Sequence, residues 1–281
     1  MTLKRLLVSY PGTEADDCLA ESIIAIGREF SPAFTVLHVR SSGFEARQIA
    51  GWGIEGGVYA DAAEAMTARA TEREAAARQD FADLNARLDA DGPALDIDLT
   101  VAEGYPPDVI TQLGGAYDLI VVPRPVSGTD GGTEDLVNAA LFYTGRPVLI
   151  APPEPPEKIG AKVLLAWNRS PQAARALAGA MQVIRGAADV LVFHVETGAK
   201  RGPSPEAIQD YLKAHDIDAT VKTEPPDHRA IGEQVMAQAR EFGADLVVMG
   251  AYSHSRLREL ILGGVTRALL SEADVPVLMT H

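Results

Sequence analysis

The 281-residue sequence predicts an α/β protein of two tandem, doubly wound domains, each a mainly parallel sheet with helices on both faces. Three observations predict this fold class. Short apolar segments recur in the same order in both halves of the chain, helical patterns separate them, and a proline-rich segment lies between the halves.

Four segments of the N-terminal half have counterparts in the C-terminal half. The pairs are residues 4–8 and 162–166, 35–39 and 190–195, 117–122 and 244–249, and 146–150 and 275–279. All are rich in Val, Leu and Ile without strict alternation, which is typical of strands that are covered on both faces. We therefore interpret them as equivalent strands of two related domains.

Helical patterns follow the first strand of each half. Thr13 is a candidate N-cap for a helix with apolar residues at helical spacing over 15–26. Ser170 followed by Pro171 is typical of the start of the equivalent helix. Strands that alternate with helices imply parallel pairing through right-handed crossovers.

The boundary between the domains is predicted at residues 152–157, which read Pro-Pro-Glu-Pro-Pro-Glu. A stiff, polar segment of this kind is typical of a linker. The sequence thus predicts an N-terminal domain over residues 1–152 and a C-terminal domain over residues 158–281.

The N-terminal half carries an extra segment after its second strand. Residues 38–118 span 80 positions, whereas the equivalent residues 194–245 span 51, which leaves about 29 additional residues. Residues 60–88 predict a long helix, preceded by a glycine-rich loop at 51–57. A surface helix and a lid or docking helix are both open interpretations of this segment.

Charge and cysteine content exclude several kinds of partner. The formal net charge is −14, so most of the surface repels nucleic-acid phosphates and anionic membranes. The single cysteine, Cys18, cannot form an internal disulfide, and its helical context indicates a small core residue. The apolar run at residues 6–8 is too short for a signal-peptide core, so we expect a cytoplasmic protein.

A candidate ligand loop follows the last-but-one strand of the C-terminal half. Gly250 and Ser253 are followed, after nine residues, by Gly263, Gly264 and Thr266. A loop from the carboxyl end of a parallel strand into a helix is where such sheets bind ligands. Glycines allow close approach of the backbone, and N–H groups at a helix start favour an anion such as phosphate.

Over nearly the whole chain, and most specifically in this loop, the sequence resembles the universal stress protein family, whose fold is adenine nucleotide α-hydrolase-like. The ATP-binding branch carries Gly, two residues, Gly, nine residues, Gly and then Ser or Thr. Gly250 and Gly263 match this pattern, whereas Ser253 replaces the second glycine and Gly264 the Ser/Thr. Thr266 stands where many members have another hydroxyl residue.

The resemblance implies further contacts and a difference between the halves. Asn168 occupies the place of an Asp that contacts the nucleoside, and Val195 the place where backbone groups meet adenine. In the N-terminal half, Pro11 replaces that Asp, and residues 123–125 lack the leading glycine of the loop. We therefore expect the N-terminal half to be a scaffold that packs against its sister.

The function that the resemblance implies is a stress-response regulatory protein that binds ATP or AMP in the C-terminal domain, with Mg²⁺ as an accompanying ion. The residues indicate no dedicated catalysis, because Ser253 and His254 lack a nucleophile-elbow pattern and the six histidines lack zinc-ligand spacing. His38 and His194 stand at equivalent strand positions, which favours a structural role.

A second hypothesis, from a different class, is a nucleotide-free interaction protein of the same fold. In that interpretation Pro11, Asn168, Ser253 and Gly264 reflect a lost ligand site, and function lies in dimerisation or in the extra helix. The two halves are expected to form a pseudo-dimer within the chain, and a homodimer of two chains is also open.

Overall fold

A computed structural model describes residues 3–41, 56–125, 132–155, 157–198, 202–251 and 273–281. The N-terminal half comprises β1 Arg5–Ser9, α1 Ala15–Phe30, β2 Ala33–Arg40, α2 Gly56–Asp91, β3 Ile97–Glu103, α3 Pro106–Gly114, β4 Leu119–Pro123, α4 Gly132–Tyr143 and β5 Val148–Ala151. The C-terminal half comprises β6 Lys162–Ala166, α5 Pro171–Gly186, β7 Asp189–Val195, α6 Pro205–Lys213, β8 Thr220–Glu224, α7 Ile231–Phe242, β9 Leu246–Gly250 and β10 Val277–Thr280.

In the described part of the chain, the strands form one sheet of ten in the order β3-β2-β1-β4-β5-β10-β9-β6-β7-β8. Pairing is parallel within each half, and both halves use the same strand order. The halves join where β5 pairs antiparallel with β10, with Leu149 opposite Leu278. The predicted fold class, two tandem doubly wound α/β units, is confirmed, and the units share a continuous sheet.

Helices cover both faces of this sheet, which explains the continuous apolar strands. In β1, Leu6 and Val8 belong to the core under α1, α2, α5 and α6, whereas Leu7 belongs to the core under α3, α4 and α7. Each core contains residues of both halves and continues across the β5–β10 pair. Among the described residues, no helix is both long and apolar enough to cross a bilayer.

Two equivalent aspartates fasten the start of each half's first strand to the strand beside it. Asp245 accepts hydrogen bonds from the N–H groups of Gly160 at 2.8 Å, Ala161 at 3.0 Å and Lys162 at 3.1 Å. Asp118 accepts from the N–H groups of Lys4 at 2.8 Å and Arg5 at 3.1 Å. These carboxylates satisfy backbone donors just before β6 and β1.

The start of α1 differs from the prediction. Glu14 occupies the N-cap position without a side-chain cap hydrogen bond, so Thr13 is not the cap. Instead Asp16, in the first turn, is completely buried and accepts from the N–H of Gly12 at 3.0 Å. The prediction for α5 is confirmed, because Ser170 Oγ accepts from the N–H of Ala173 and Pro171 follows the cap.

The extra segment of the N-terminal half forms α2, a helix of 36 residues. Ala70, Ala77 and Leu84, seven residues apart, are buried along its inner side, where the helix packs on α1 and β2. Two ion pairs join α2 to its neighbours. Arg40 of β2 lies 3.8 Å from Glu74, and Arg87 lies 2.6 Å from Glu21 of α1.

Removing the Asp245 carboxylate should destabilise the fold. In Asp245→Ala the N–H groups of residues 160–162 lose a charged acceptor, and we expect a loss of roughly 2 kcal/mol in the free energy of unfolding. Asp118→Ala, which removes two bonds to more exposed donors, should lose about 1 kcal/mol. Urea denaturation measures both, and equal stability of Asp245→Ala and wild type would contradict this role.

Stability should fall as pH rises, because of Asp16. Burial, followed by the charge of Asp80, raises the pKa of Asp16 to about 8, while the Gly12 N–H lowers it. An unfolded Asp titrates near pH 4, so the folded state holds the extra proton between about pH 4 and pH 8, and stability is lost across that window. In Asp16→Asn, which keeps an acceptor for Gly12, the thermal midpoint should fall less between pH 5 and pH 8.

The matched control for this titration is Asp89→Asn, since Asp89 is an exposed aspartate near the end of α2 and is not among the charges that shift Asp16. This variant should keep the wild-type slope of thermal midpoint against pH. If Asp16→Asn kept that slope as well, another group would be responsible for the pH dependence.

Candidate functional site

The structure brings three of the seven predicted site residues to one edge of the C-terminal sheet. Asn168 follows β6 by two residues, and Val195 and Gly250 are the last residues of β7 and β9. Because β6 lies between β7 and β9 in a parallel arrangement, all three strands end at the same edge. Ser253, Gly263, Gly264 and Thr266 lie outside the described residues, so their predicted roles stay predictions.

Asn168 builds the turn that leads from β6 into α5. Its Oδ1 accepts from the N–H of Ser170 at 3.2 Å and from Ser170 Oγ at 2.6 Å. Ser170 Oγ in turn accepts from the N–H of Ala173 at 3.1 Å, which caps the helix. The side chain of Asn168 is exposed. Because its oxygen is engaged in this turn, its amide N–H₂ group is the part that can donate a hydrogen bond to a ligand. The sequence did not indicate this relay.

Val195 presents its backbone beyond the end of β6. Phe193 C=O accepts from the N–H of Trp167 at 2.8 Å, and the N–H of Glu196 donates to Glu224 C=O at 2.8 Å. Successive residues of a strand point their backbone groups to opposite neighbours, so Val195 points toward the β6 side, as Phe193 does. An N–H and a C=O in that position suit the edge of a flat, polar heterocycle.

Gly250 is required by packing at the end of β9. A Cβ atom at this position would lie 2.6 Å from the carbonyl carbon of Gln172 and would also clash with the N–H of Ala173. The strand therefore touches the first turn of α5. This close approach keeps the start of α5 next to the strand edge where Asn168 and Val195 lie.

The two equivalent histidines have a structural role, as predicted. His38 Nδ1 lies 2.9 Å from the C=O of Tyr10, and His194 Nδ1 lies 2.6 Å from the C=O of Trp167. Both rings are buried, and each links the second strand of its half to the turn after the first strand. Among the described residues, no group of three His, Cys, Asp or Glu side chains could hold a metal ion.

The N-terminal half contains a cavity that the sequence did not indicate. It has a volume of about 750 Å³ and lies at the carboxyl ends of the strands, with Pro11 in its wall. Among the described residues, four arginines also line it: Arg40, Arg69, Arg73 and Arg124. They come from three separate parts of the chain, so only the spacing of Arg69 and Arg73 on one helical face was visible beforehand.

A protein-family model matches the C-terminal half of the chain, and a curated relative aligns with a longer part of it. Residues 160–281 match the model of the Universal stress protein family. Universal stress protein Slr1230 of Synechocystis sp. is 27% identical over 186 residues, and the alignment covers 62% of this chain and 62% of that protein. The chain thus spans less than two thirds of this curated relative.

Solved structures match the fold of the entire chain. A universal stress protein from Archaeoglobus fulgidus superposes with a TM-score of 0.68 at 18% identity, covering 99% of this chain and 96% of that one. A protein of unknown function from Pseudomonas aeruginosa PAO1 superposes with a TM-score of 0.60 at 14% identity, covering 99% and 92%. At these identities the likeness shows a shared two-unit fold.

Gly250→Ala should destabilise the protein by about 1–3 kcal/mol, because its methyl group must push β9 away from the first turn of α5. Gly186→Ala, at the opposite end of α5, is the matched control, since an added Cβ there meets no atom within 4 Å. Thermal and urea denaturation compare the two variants. Equal stability of both would show that Gly250 is not needed for close packing.

Proposed function

We propose that this chain, whose residues 160–281 match the Universal stress protein family, is a stress-response regulatory protein that binds ATP or AMP at the carboxyl edge of its C-terminal sheet. The observation that supports this most is the meeting of Asn168, Val195 and Gly250 at that edge, beside the start of α5. Parallel sheets of this kind bind ligands where the strand order reverses, which here is between β6 and β9.

Each part of the nucleotide has a proposed partner. The backbone N–H and C=O of Val195 suit the polar edge of adenine, and the Asn168 amide suits a ribose hydroxyl. Gly263, Gly264 and Thr266 are assigned to the phosphates by the sequence pattern, with glycine backbone groups and one hydroxyl as ligands. Mg²⁺ would arrive with ATP as its phosphate-bound ion.

The proposed role is to hold the nucleotide, and we assign no residue to catalysis. Asn168 is a neutral amide whose oxygen is engaged by Ser170, so it is no general base. Occupancy of the site by the nucleotide would report the nucleotide state of the cell to a partner protein. We place the protein in the cytoplasm, either as a single chain whose halves form a pseudo-dimer or as a homodimer.

One observation favours the alternative of a nucleotide-free interaction protein. Asn168 Oδ1 is taken by two hydrogen bonds inside its own turn, which weakens it as an acceptor for ribose. In that case the residues at the carboxyl ends of β6, β7 and β9 would only position the start of α5, and function would lie in contacts between proteins.

Calorimetry with ATP and Mg²⁺ on the full chain tests the proposal. We expect about one ATP per chain for the wild type, and loss of that binding in Gly263→Asp, because aspartate adds a side chain and a negative charge at the proposed phosphates. Gly115→Asp is the matched control: this residue has φ −58° and the nearest atom to an added Cβ lies 3.8 Å away.

The control should bind ATP like the wild type although it carries the same added charge. Absence of ATP binding by the wild type, or unchanged binding by Gly263→Asp, would contradict the proposal and favour the interaction protein.

A further inference from the structure

We propose that the N-terminal cavity is a second ligand site, which binds a small organic molecule through a phosphate or carboxylate group held by arginine side chains. The cavity lies where β1 and β4 diverge at their carboxyl ends, the position at which a doubly wound sheet receives a ligand. Its volume of about 750 Å³ is in the range of small-molecule sites.

The charges of the lining favour an anion. Arg40, Arg69, Arg73 and Arg124 face two carboxylates, Glu14 and Asp135, in a protein whose net charge is −14. Asp135 accepts a hydrogen bond from Tyr105 Oη at 2.8 Å. A local excess of arginine inside an acidic protein concentrates anions at this cavity, while the remaining surface repels them.

Two of the arginines are held in place at strand ends. Arg40, the last residue of β2, donates from Nη2 to Thr71 Oγ1 at 3.4 Å and lies 3.8 Å from Glu74. Arg124 follows β4, and its Nη1 donates to the C=O of Ala273 at 3.1 Å. These contacts fix where the two guanidinium groups lie beside the cavity, and each group carries positive charge and N–H donors of the kind that recognise oxyanions.

The other two arginines come from α2, which lines one side of the cavity. Arg69 and Arg73 are one turn apart on the same side of the helix. The C=O of Arg73 lies against Gly12, where φ is +72° and a Cβ atom would approach the Arg73 carbonyl carbon to 2.7 Å. The helix thus docks closely on the turn after β1, and its arginines are brought to the cavity by packing.

The C-terminal half has no such set of arginines at the equivalent described positions. Two residues after the structural histidine stands Arg40 in one half and Glu196 in the other. The residue after the fourth strand is Arg124 in one half and Ala251 in the other. The N-terminal site therefore recognises its ligand by side-chain charge, whereas the proposed C-terminal site uses backbone groups and neutral side chains, and the two sites should prefer different ligands.

The test is calorimetric titration of the full chain with pyrophosphate and, separately, with citrate. Both titrations are repeated with the Gly263→Asp variant, so that binding at the proposed nucleotide site does not contribute to the signal. The double variant Arg69→Gln/Arg73→Gln should bind at least about tenfold more weakly than wild type, since hydrogen bonds between charged groups are lost. Both positions lie on a helix surface where glutamine is tolerated.

The matched control is Arg28→Gln/Arg185→Gln, which removes the same charge from exposed positions on α1 and α5 away from the cavity lining and should bind like wild type. Tighter binding of pyrophosphate assigns a phosphate ligand, and tighter binding of citrate a carboxylate ligand. Failure of the wild type to bind either anion, equal weakening in the control, or complete loss of binding in Gly263→Asp alone would overturn the proposal.

Discussion

The antiparallel pairing of β5 with β10 is the interaction on which the rest of the architecture depends. It joins two parallel five-stranded sets that run in opposite directions, and it lets both hydrophobic cores extend through both halves. As a consequence, the carboxyl ends of the strands point one way in the N-terminal half and the opposite way in the C-terminal half. The N-terminal cavity and the C-terminal candidate site are therefore separated by the length of the strands.

The two halves share the contacts that shape the sheet and differ in those that face a ligand. Asp118 and Asp245 hold equivalent strand starts, and His38 and His194 bridge equivalent turns. At the strand ends the residue types diverge, as the pair Arg40 and Glu196 shows. Repetition in this chain thus preserves a framework, while each edge has its own chemistry.

Sequence reasoning predicted the parts that depend on local pattern. Apolar strands covered on both faces and the Ser170–Pro171 helix start could be found because neighbouring residues determine them. The N-terminal cavity could not be found, since its arginines come together only when α2 packs on β2 and α1. Thr13 was the wrong cap for a similar reason: the buried Asp16 reaches back to Gly12, and the backbone of Arg73 in α2 packs against that glycine.

A single sheet also means that the covalent link between the halves is not what keeps them together. The segment between β5 and β6 carries exposed Pro153 and Glu154, a place accessible to a protease. A chain cut there would leave two fragments still joined by the β5–β10 hydrogen bonds and by two shared cores. Such a nicked molecule would migrate as one particle on a sizing column and as two bands only after denaturation.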